Sequence, residues 1–157
     1  MLILDPRYNV TSCQDMPVVY HIGKHQVAED MSWGFVPFWN KDSWNKDRER
    51  RANHQRPWCL IPATGFYEWA CAGGRTQPYY IHLKHEPVFS FAGLYDSFAG
   101  KDEKEHKVYT ILTTRPNRLL APIHNRMPVM LHRKDEHLWL DQTLKRPTVL
   151  ASLSPYG

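Results

Sequence analysis

The sequence predicts a mainly antiparallel α+β fold, and three observations carry that expectation. Segments rich in Val, Ile, Tyr, Phe and Thr recur along the chain, the separators between them are short and turn-like, and helical periodicity is sparse. Connections of hairpin length favour antiparallel pairing, because a parallel crossover needs about a dozen residues or more.

The strand-forming segments, in order, are Pro17–Ile22, Cys59–Trp69, Pro78–Leu83, Val88–Tyr95 and Val108–Thr114. Ala72-Gly73-Gly74-Arg75, Lys84-His85-Glu86-Pro87 and Ala99-Gly100 supply turns between them. A turn or short helix is expected at Pro116–Ala121, with proline suited to a first helical position, and a helix at Arg133–Leu140, where Leu138 and Leu140 are apolar in a polar background. With 157 residues, 42% of them hydrophobic, and neither repeat nor linker, the expectation is one domain over residues 1–157 with a sizeable core.

Several classes drop out. The longest apolar runs fall far short of the roughly 20 residues that span a bilayer, and no secretory signal opens the chain. Cys13, Cys59 and Cys71 are an odd number without a CxxC pair, so a reducing cytoplasm is the expected setting. His21 with His25, and His82 with His85, lack partners at a recognised metal-ligand spacing, and neither metal nor cofactor is expected. The common phosphate-loop, dinucleotide, serine-hydrolase and zincin signatures do not occur.

Charge is unevenly placed. Residues 41–56 hold Lys41, Lys46, Arg48, Arg50, Arg51 and Arg56 against Asp42, Asp47 and Glu49, so most of the net +4 sits there. Trp33, Trp39, Trp44 and Trp58 flank and punctuate this stretch, an interleaving that suits phosphates with stacked bases. The same residues also fit a solvated loop whose tryptophans pack inward.

Glu68 stands in the aromatic strand Gly65-Phe66-Tyr67-Glu68-Trp69, where alternation puts Phe66 and Glu68 on one face and Tyr67 and Trp69 on the other. A carboxylate on such a strand is paired, protonated or part of a site, because burying it alone is costly. An edge position facing water or an arginine is the other reading. Further on, Ile123-His124-Asn125-Arg126-Met127-Pro128-Val129 sets His124 and Arg126 two apart on a segment that proline keeps from helix, so both side chains point the same way. Such a pair suits proton transfer beside a phosphate anchor, although a histidine near a core strand is also commonly a structural hydrogen-bonding residue.

Taken together, Arg7-Tyr8-Asn9-Val10, Trp33-Gly34-Phe35-Val36-Pro37-Phe38-Trp39, Cys59-Leu60-Ile61-Pro62-Ala63, Gly65-Phe66-Tyr67-Glu68-Trp69, Gln77-Pro78-Tyr79-Tyr80-Ile81, Ala92-Gly93-Leu94-Tyr95 and Ile123–Val129 resemble the SRAP family, the SOS-response-associated peptidase domain. The resemblance implies a curved, barrel-like sheet with few short helices and one positive face. It also implies recognition of abasic sites in single-stranded DNA and their covalent capture by an N-terminal cysteine freed by self-processing. That residue's amine condenses with the opened sugar aldehyde and its thiol closes a thiazolidine. By the same resemblance Glu68 and His124 are catalytic, and Arg126, Trp39 and Thr113 contact the DNA backbone or wedge bases apart. Trp33 and Lys41 join them as expected DNA contacts, and a monomer is expected.

The sequence departs from the family pattern in three places. Position two is Leu2 and the Met-Cys-Gly-Arg start is missing, the Asn-Ala-Arg segment expected after Asp42 is replaced by a shorter stretch, and the closing Asn-rich segment is not present. A crosslinking nucleophile is therefore expected to be missing, since Cys13, Cys59 and Cys71 are internal. The alternative reading is a non-catalytic module that binds single-stranded nucleic acid through salt-sensitive phosphate contacts.

Overall fold

A computed structural model describes residues 7–34, 57–99, 103–144 and 156. Among these residues ten strands form: β1 (Asp15–Ile22), β2 (His25–Trp33), β3 (Trp58–Ala63), β4 (Phe66–Ala72), β5 (Arg75–Ile81), β6 (Phe89–Ala99), β7 (Glu105–Ile111), β8 (Thr113–Thr114), β9 (Met127–Pro128) and β10 (Met130–Leu131). A 3-10 turn at Arg133–Asp135 leads into helix α1 (Glu136–Leu140).

Five strands close into a barrel in the order β6-β3-β1-β2-β7, with β7 returning to β6 and β10 added beside β6. Closure depends on the eleven-residue β6, whose first half pairs with β3 through Phe89–Leu94 and whose second half pairs with β7 through Gly93–Ala99. The two pairings overlap at Gly93 and Leu94, and Gly93 is the close approach. A side chain at position 93 would strike Ile61 and crowd the Thr110 carbonyl and the Cys59 sulfur, so only glycine lets the strands cross this closely.

β3 runs through the middle of the structure, and both its faces are buried. Cys59 and Ile61 point into the barrel beside Val18, Tyr20, Met31, Phe91 and Tyr109, whereas Trp58 and Leu60 face an outer layer made by Trp139, Leu140, Val129 and Leu131. Trp139 stacks on Trp58 at 4.6 Å between ring centroids and donates its indole N–H to the Cys59 carbonyl at 2.9 Å. The expected helix is therefore an outer cover, its first turn of 3-10 form.

Other expectations need correction. The apolar run Cys59–Trp69 is two strands, broken at Thr64-Gly65, where the chain leaves the barrel for the separate ribbon of β4 and β5. That ribbon turns at Gly73 and Gly74, both with positive φ (57° and 75°), as a two-residue hairpin requires. Lys84–Pro87 joins β5 to β6, yet these two strands do not pair. β2 carries too many polar residues to read as a strand, although it pairs with β1 along its length. Its pairing with β7 is parallel, over Ser32↔Val108 and Trp33↔Tyr109, so the sheet is mixed. The turn-or-helix expected at Pro116–Ala121 is a turn, running over residues 118–123, and Asn117 Oδ1 ties down its start by accepting from the Leu119 and Leu120 N–H groups.

Candidate functional site

One end of the barrel opens into a cavity of about 890 Å³. Its walls come from distant parts of the chain: Arg7–Ser12 ahead of β1, Trp33 at the end of β2, the β3–β4 junction, Tyr109 and Thr113, and the segment His124–Pro128. Glu68, His124, Arg126, Thr113 and Trp33 all line it. Trp39 and Lys41, with the rest of the basic stretch, lie outside the described residues.

Glu68 reaches the cavity because β4 peels away from the barrel. Phe66, two residues earlier on the same face, is anchored edge-on against the core ring of Phe91, at 5.7 Å between centroids. Alternation then turns Glu68 in the same direction, as its place in the sequence predicts. The residue opposite it in the ribbon is Tyr79.

His124 is held by backbone. Its N–H donates to the Leu120 carbonyl at 2.9 Å, which continues the Asn117-capped turn. The imidazole Nδ1 lies 3.5 Å from Glu68 Oε1, 3.0 Å from the Arg126 carbonyl and 3.2 Å from the Arg126 N–H. This nitrogen therefore has a use in either protonation state. Carrying a proton, it donates towards the carboxylate and the carbonyl; bare, it accepts from the Arg126 N–H. Glu68 is the more enclosed partner, with one fifth of its side chain exposed against nearly half for His124.

Arg126 is fixed by its neighbour across the β8–β9 pair. Its Nε and Nη2 donate to Thr113 Oγ1 at 3.1 and 2.6 Å, and Nη2 also donates to the Thr113 carbonyl at 2.6 Å. Among the described residues no carboxylate ion-pairs with this guanidinium, so its charge is available to an anion in the cavity. Thr113 thus holds the arginine, a role that its sequence surroundings do not suggest.

Trp33 stacks nearly parallel on Tyr109, 6.5 Å apart between centroids, and the Gly34 N–H donates to the Tyr109 carbonyl at 2.8 Å. Burial pushes the Tyr109 phenol well above its ordinary range, which leaves it neutral in the cavity wall. Arg7 also lines the cavity, its guanidinium donating to the Asp15 carbonyl at 2.7 Å.

Sequence reasoning missed Arg7, Tyr80 and Tyr109 as cavity residues. Tyr80 could have been found from the ribbon's register, since it lies directly opposite Tyr67. Among the described residues no group of three or more His, Cys, Asp or Glu is arranged to hold a metal ion.

A family model described as SOS response associated peptidase (SRAP) matches residues 3–157. The chain belongs to the SRAP family. Within it, the Bacillus subtilis abasic site processing protein YoqW is 33% identical over 166 residues, covering 96% of this chain and 74% of that protein. Abasic site processing protein YoaM of the same species is 35% identical over 162 residues, covering 94% and 71%. The HMCES protein of Gallus gallus, also an abasic site processing protein, is 30% identical over 154 residues, covering 74% of this chain and 46% of its own. A crystal structure of a protein from Bacteroides thetaiotaomicron superposes with a TM-score of 0.77 at 28% identity, covering 92% of this chain and 70% of that one. The barrel-like SRAP fold expected from the sequence is the fold observed.

Proposed function

We propose that the cavity binds an abasic nucleotide in single-stranded DNA, with Glu68 and His124 moving protons at the sugar and Arg126 gripping a neighbouring phosphate. The observation that carries this reading is the approach of Glu68 Oε1 to His124 Nδ1, 3.5 Å apart at the wall of a cavity that also holds Arg126, which has no carboxylate partner among the described residues. Its support from relatives is that those named above are abasic site processing proteins.

The chemistry follows from the sugar. Opening the ring of an abasic deoxyribose breaks the bond between C1′ and O4′, removes a proton from the C1′ hydroxyl and places one on O4′. An acid and a base in mutual reach can take one proton and give the other, an effect that typically contributes 10²–10⁴ in rate. The product is an aldehyde. Covalent capture, as the SRAP resemblance implies, has the amine of an N-terminal cysteine add to that aldehyde with loss of water, after which the thiol adds to the imine carbon. We assign the covalent step to an amino terminus that begins with cysteine after self-processing, as the SRAP resemblance implies, and the non-covalent grip to the cavity itself.

The test compares this chain with a version whose mature terminus is cysteine. Each is incubated with single-stranded DNA carrying one abasic site, and with the same oligonucleotide intact. Preferential binding of the abasic strand by both proteins, with a heat-stable adduct only from the cysteine-initiated one, is the expected result. Equal affinity of this chain for intact and abasic strands would overturn the reading.

A further inference from the structure

The turn over residues 118–123 leads into His124, and Asn117, just ahead of it, has more bonds than a cap requires. Its Oδ1 accepts from the Leu119 and Leu120 N–H groups at 3.1 and 3.0 Å, a service that aspartate or serine performs equally well. What asparagine adds is a donor on the same planar amide. With Oδ1 committed to those two N–H groups, Nδ2 points the other way and donates to the Tyr156 carbonyl at 2.7 Å, 39 residues further along the chain.

Tyr156 is a firm place to attach. Its half-buried ring packs against the barrel core and stacks on His132 at 4.2 Å between centroids, and its hydroxyl donates to Glu86 Oε1 at 3.2 Å. Glu86 lies between β5 and β6 and His132 follows β10, so this residue is pinned to two separate segments besides Asn117. Burial, and after it the Glu86 carboxylate, raises the phenol above its ordinary value, which keeps the hydroxyl a donor.

From Asn117 the turn leads directly to the site. The Asn117 carbonyl accepts from the Ala121 N–H at 2.9 Å, and the Leu120 carbonyl accepts from the Ile123 and His124 N–H groups at 2.8 and 2.9 Å. The Asn117 N–H reaches Met127 Sδ at 3.2 Å, beside Arg126. Leu120 and Met127 are each 1% exposed, so core residues hold the segment that carries His124 and Arg126 on both sides. Neither Asn117 nor Tyr156 lines the cavity. The imidazole itself is nearly half exposed, and apart from Glu68 its Nδ1 meets only the Arg126 backbone, so its place is set by where this turn sits.

We infer that Asn117 is a positioning residue for His124, its hydrogen bond to the Tyr156 carbonyl latching the histidine-bearing turn so that the imidazole meets Glu68. The inference rests on the abasic-site reading for what the histidine does, and adds which residue outside the cavity sets its place.

The test uses Asn117→Asp and Asn117→Ser, which keep a capping acceptor and remove the donor, so that the turn still forms and only the latch is lost. In this chain, the proton–nitrogen correlation spectrum of the histidine rings, with His124 assigned through His124→Gln, reports the surroundings of Nδ1. In the cysteine-initiated protein, the rate of adduct formation is followed against the concentration of abasic single-stranded DNA. Both variants are expected to shift the His124 ring signals and to lower the maximal rate about tenfold or more, with the half-saturating DNA concentration within about twofold of the parent. Tyr156→Ala, which removes the anchoring ring, should do the same, whereas Tyr156→Phe, which keeps ring and carbonyl, should behave as the parent does. Parent-like His124 signals in both Asn117 variants would overturn the inference, as would a rate lost only through weaker DNA binding. If the His124 signals shift but the cysteine-initiated parent forms no adduct, the latch stands and the abasic-site reading fails. If that parent forms an adduct and the Asn117 variants match its rate, the latch is wrong and the abasic-site reading survives.

Discussion

Thr113 grips Arg126 with both its hydroxyl and its carbonyl, so a guanidinium at the cavity wall has its Nε and Nη2 spent on one residue. The grip orients the charge without neutralising it. Binding to single-stranded DNA should therefore weaken in Arg126→Ala and lose about one unit of its salt slope, as expected for one phosphate contact. Thr113→Val removes the hydroxyl acceptor but leaves the charge, so it should weaken binding about threefold with the slope intact. Salt titrations of both variants separate these outcomes, and an unchanged slope in Arg126→Ala would make the arginine structural.

Glu68→Gln keeps the shape of the Glu68–His124 contact and removes the charge. The melting temperature should stay close to that of the parent, because both side chains lie at a cavity wall and not in the core. Adduct formation on an abasic strand, in the cysteine-initiated protein, should slow by at least tenfold. Rates equal to the parent across pH 5–8 would remove Glu68 from the proton-transfer step.

Trp139 is the largest fully buried side chain among the described residues, and it joins α1 to β3 by both a stack and a hydrogen bond. Trp139→Ala should cost about 3–5 kcal/mol, from the lost burial and the cavity it leaves. Trp139→Phe keeps most of the packing but leaves the Cys59 carbonyl without its donor, and should cost less. Urea unfolding of the two variants measures the difference.

Away from the cavity, Lys107 crosses from β7 to Glu29 on β2 at 2.5 Å, and both meet the Tyr20 hydroxyl. Hydrogen bonds from Lys107 and Tyr20 hold the Glu29 carboxyl below its ordinary 4.5. The stability this supplies is full above pH 4.5 and is lost as pH falls through the lower folded value. Glu29 is nearly half exposed, so the effect should stay under about 1 kcal/mol. Lys107→Met should flatten that acid limb of the urea midpoint.

At the alkaline end, burial raises the Tyr20 phenol and pushes that of Tyr95 up to about 12. A raised folded value means that stability is full below the ordinary 10 and fades as pH rises through about 12. Tyr95→Phe should make the midpoint less sensitive to pH between these limits.

The sequence by itself determined what short-range chemistry controls. Alternation along Gly65–Trp69 assigned Glu68 to the face of Phe66, and the glycine pair at 73–74 set the hairpin that carries it. Proline near His124 and Arg126 kept that segment out of helix, and both side chains line one cavity. The motifs named the family because they keep their order along nearly the whole chain.

Tertiary structure alone decided which of these parts meet. β2 does not read as a strand because Glu29 interrupts its inward face, where the half-exposed carboxylate meets Lys107 arriving from β7, far along the chain. The same closure, through the parallel seam and the crossing at Gly93, sets Trp33 on Tyr109 and brings distant segments to one cavity. Local propensity acts over a few neighbours, whereas barrel closure depends on total burial and on pairing between remote strands. That is why the catalytic candidates could be named one by one from sequence, and why the 3.5 Å between Glu68 and His124 could not.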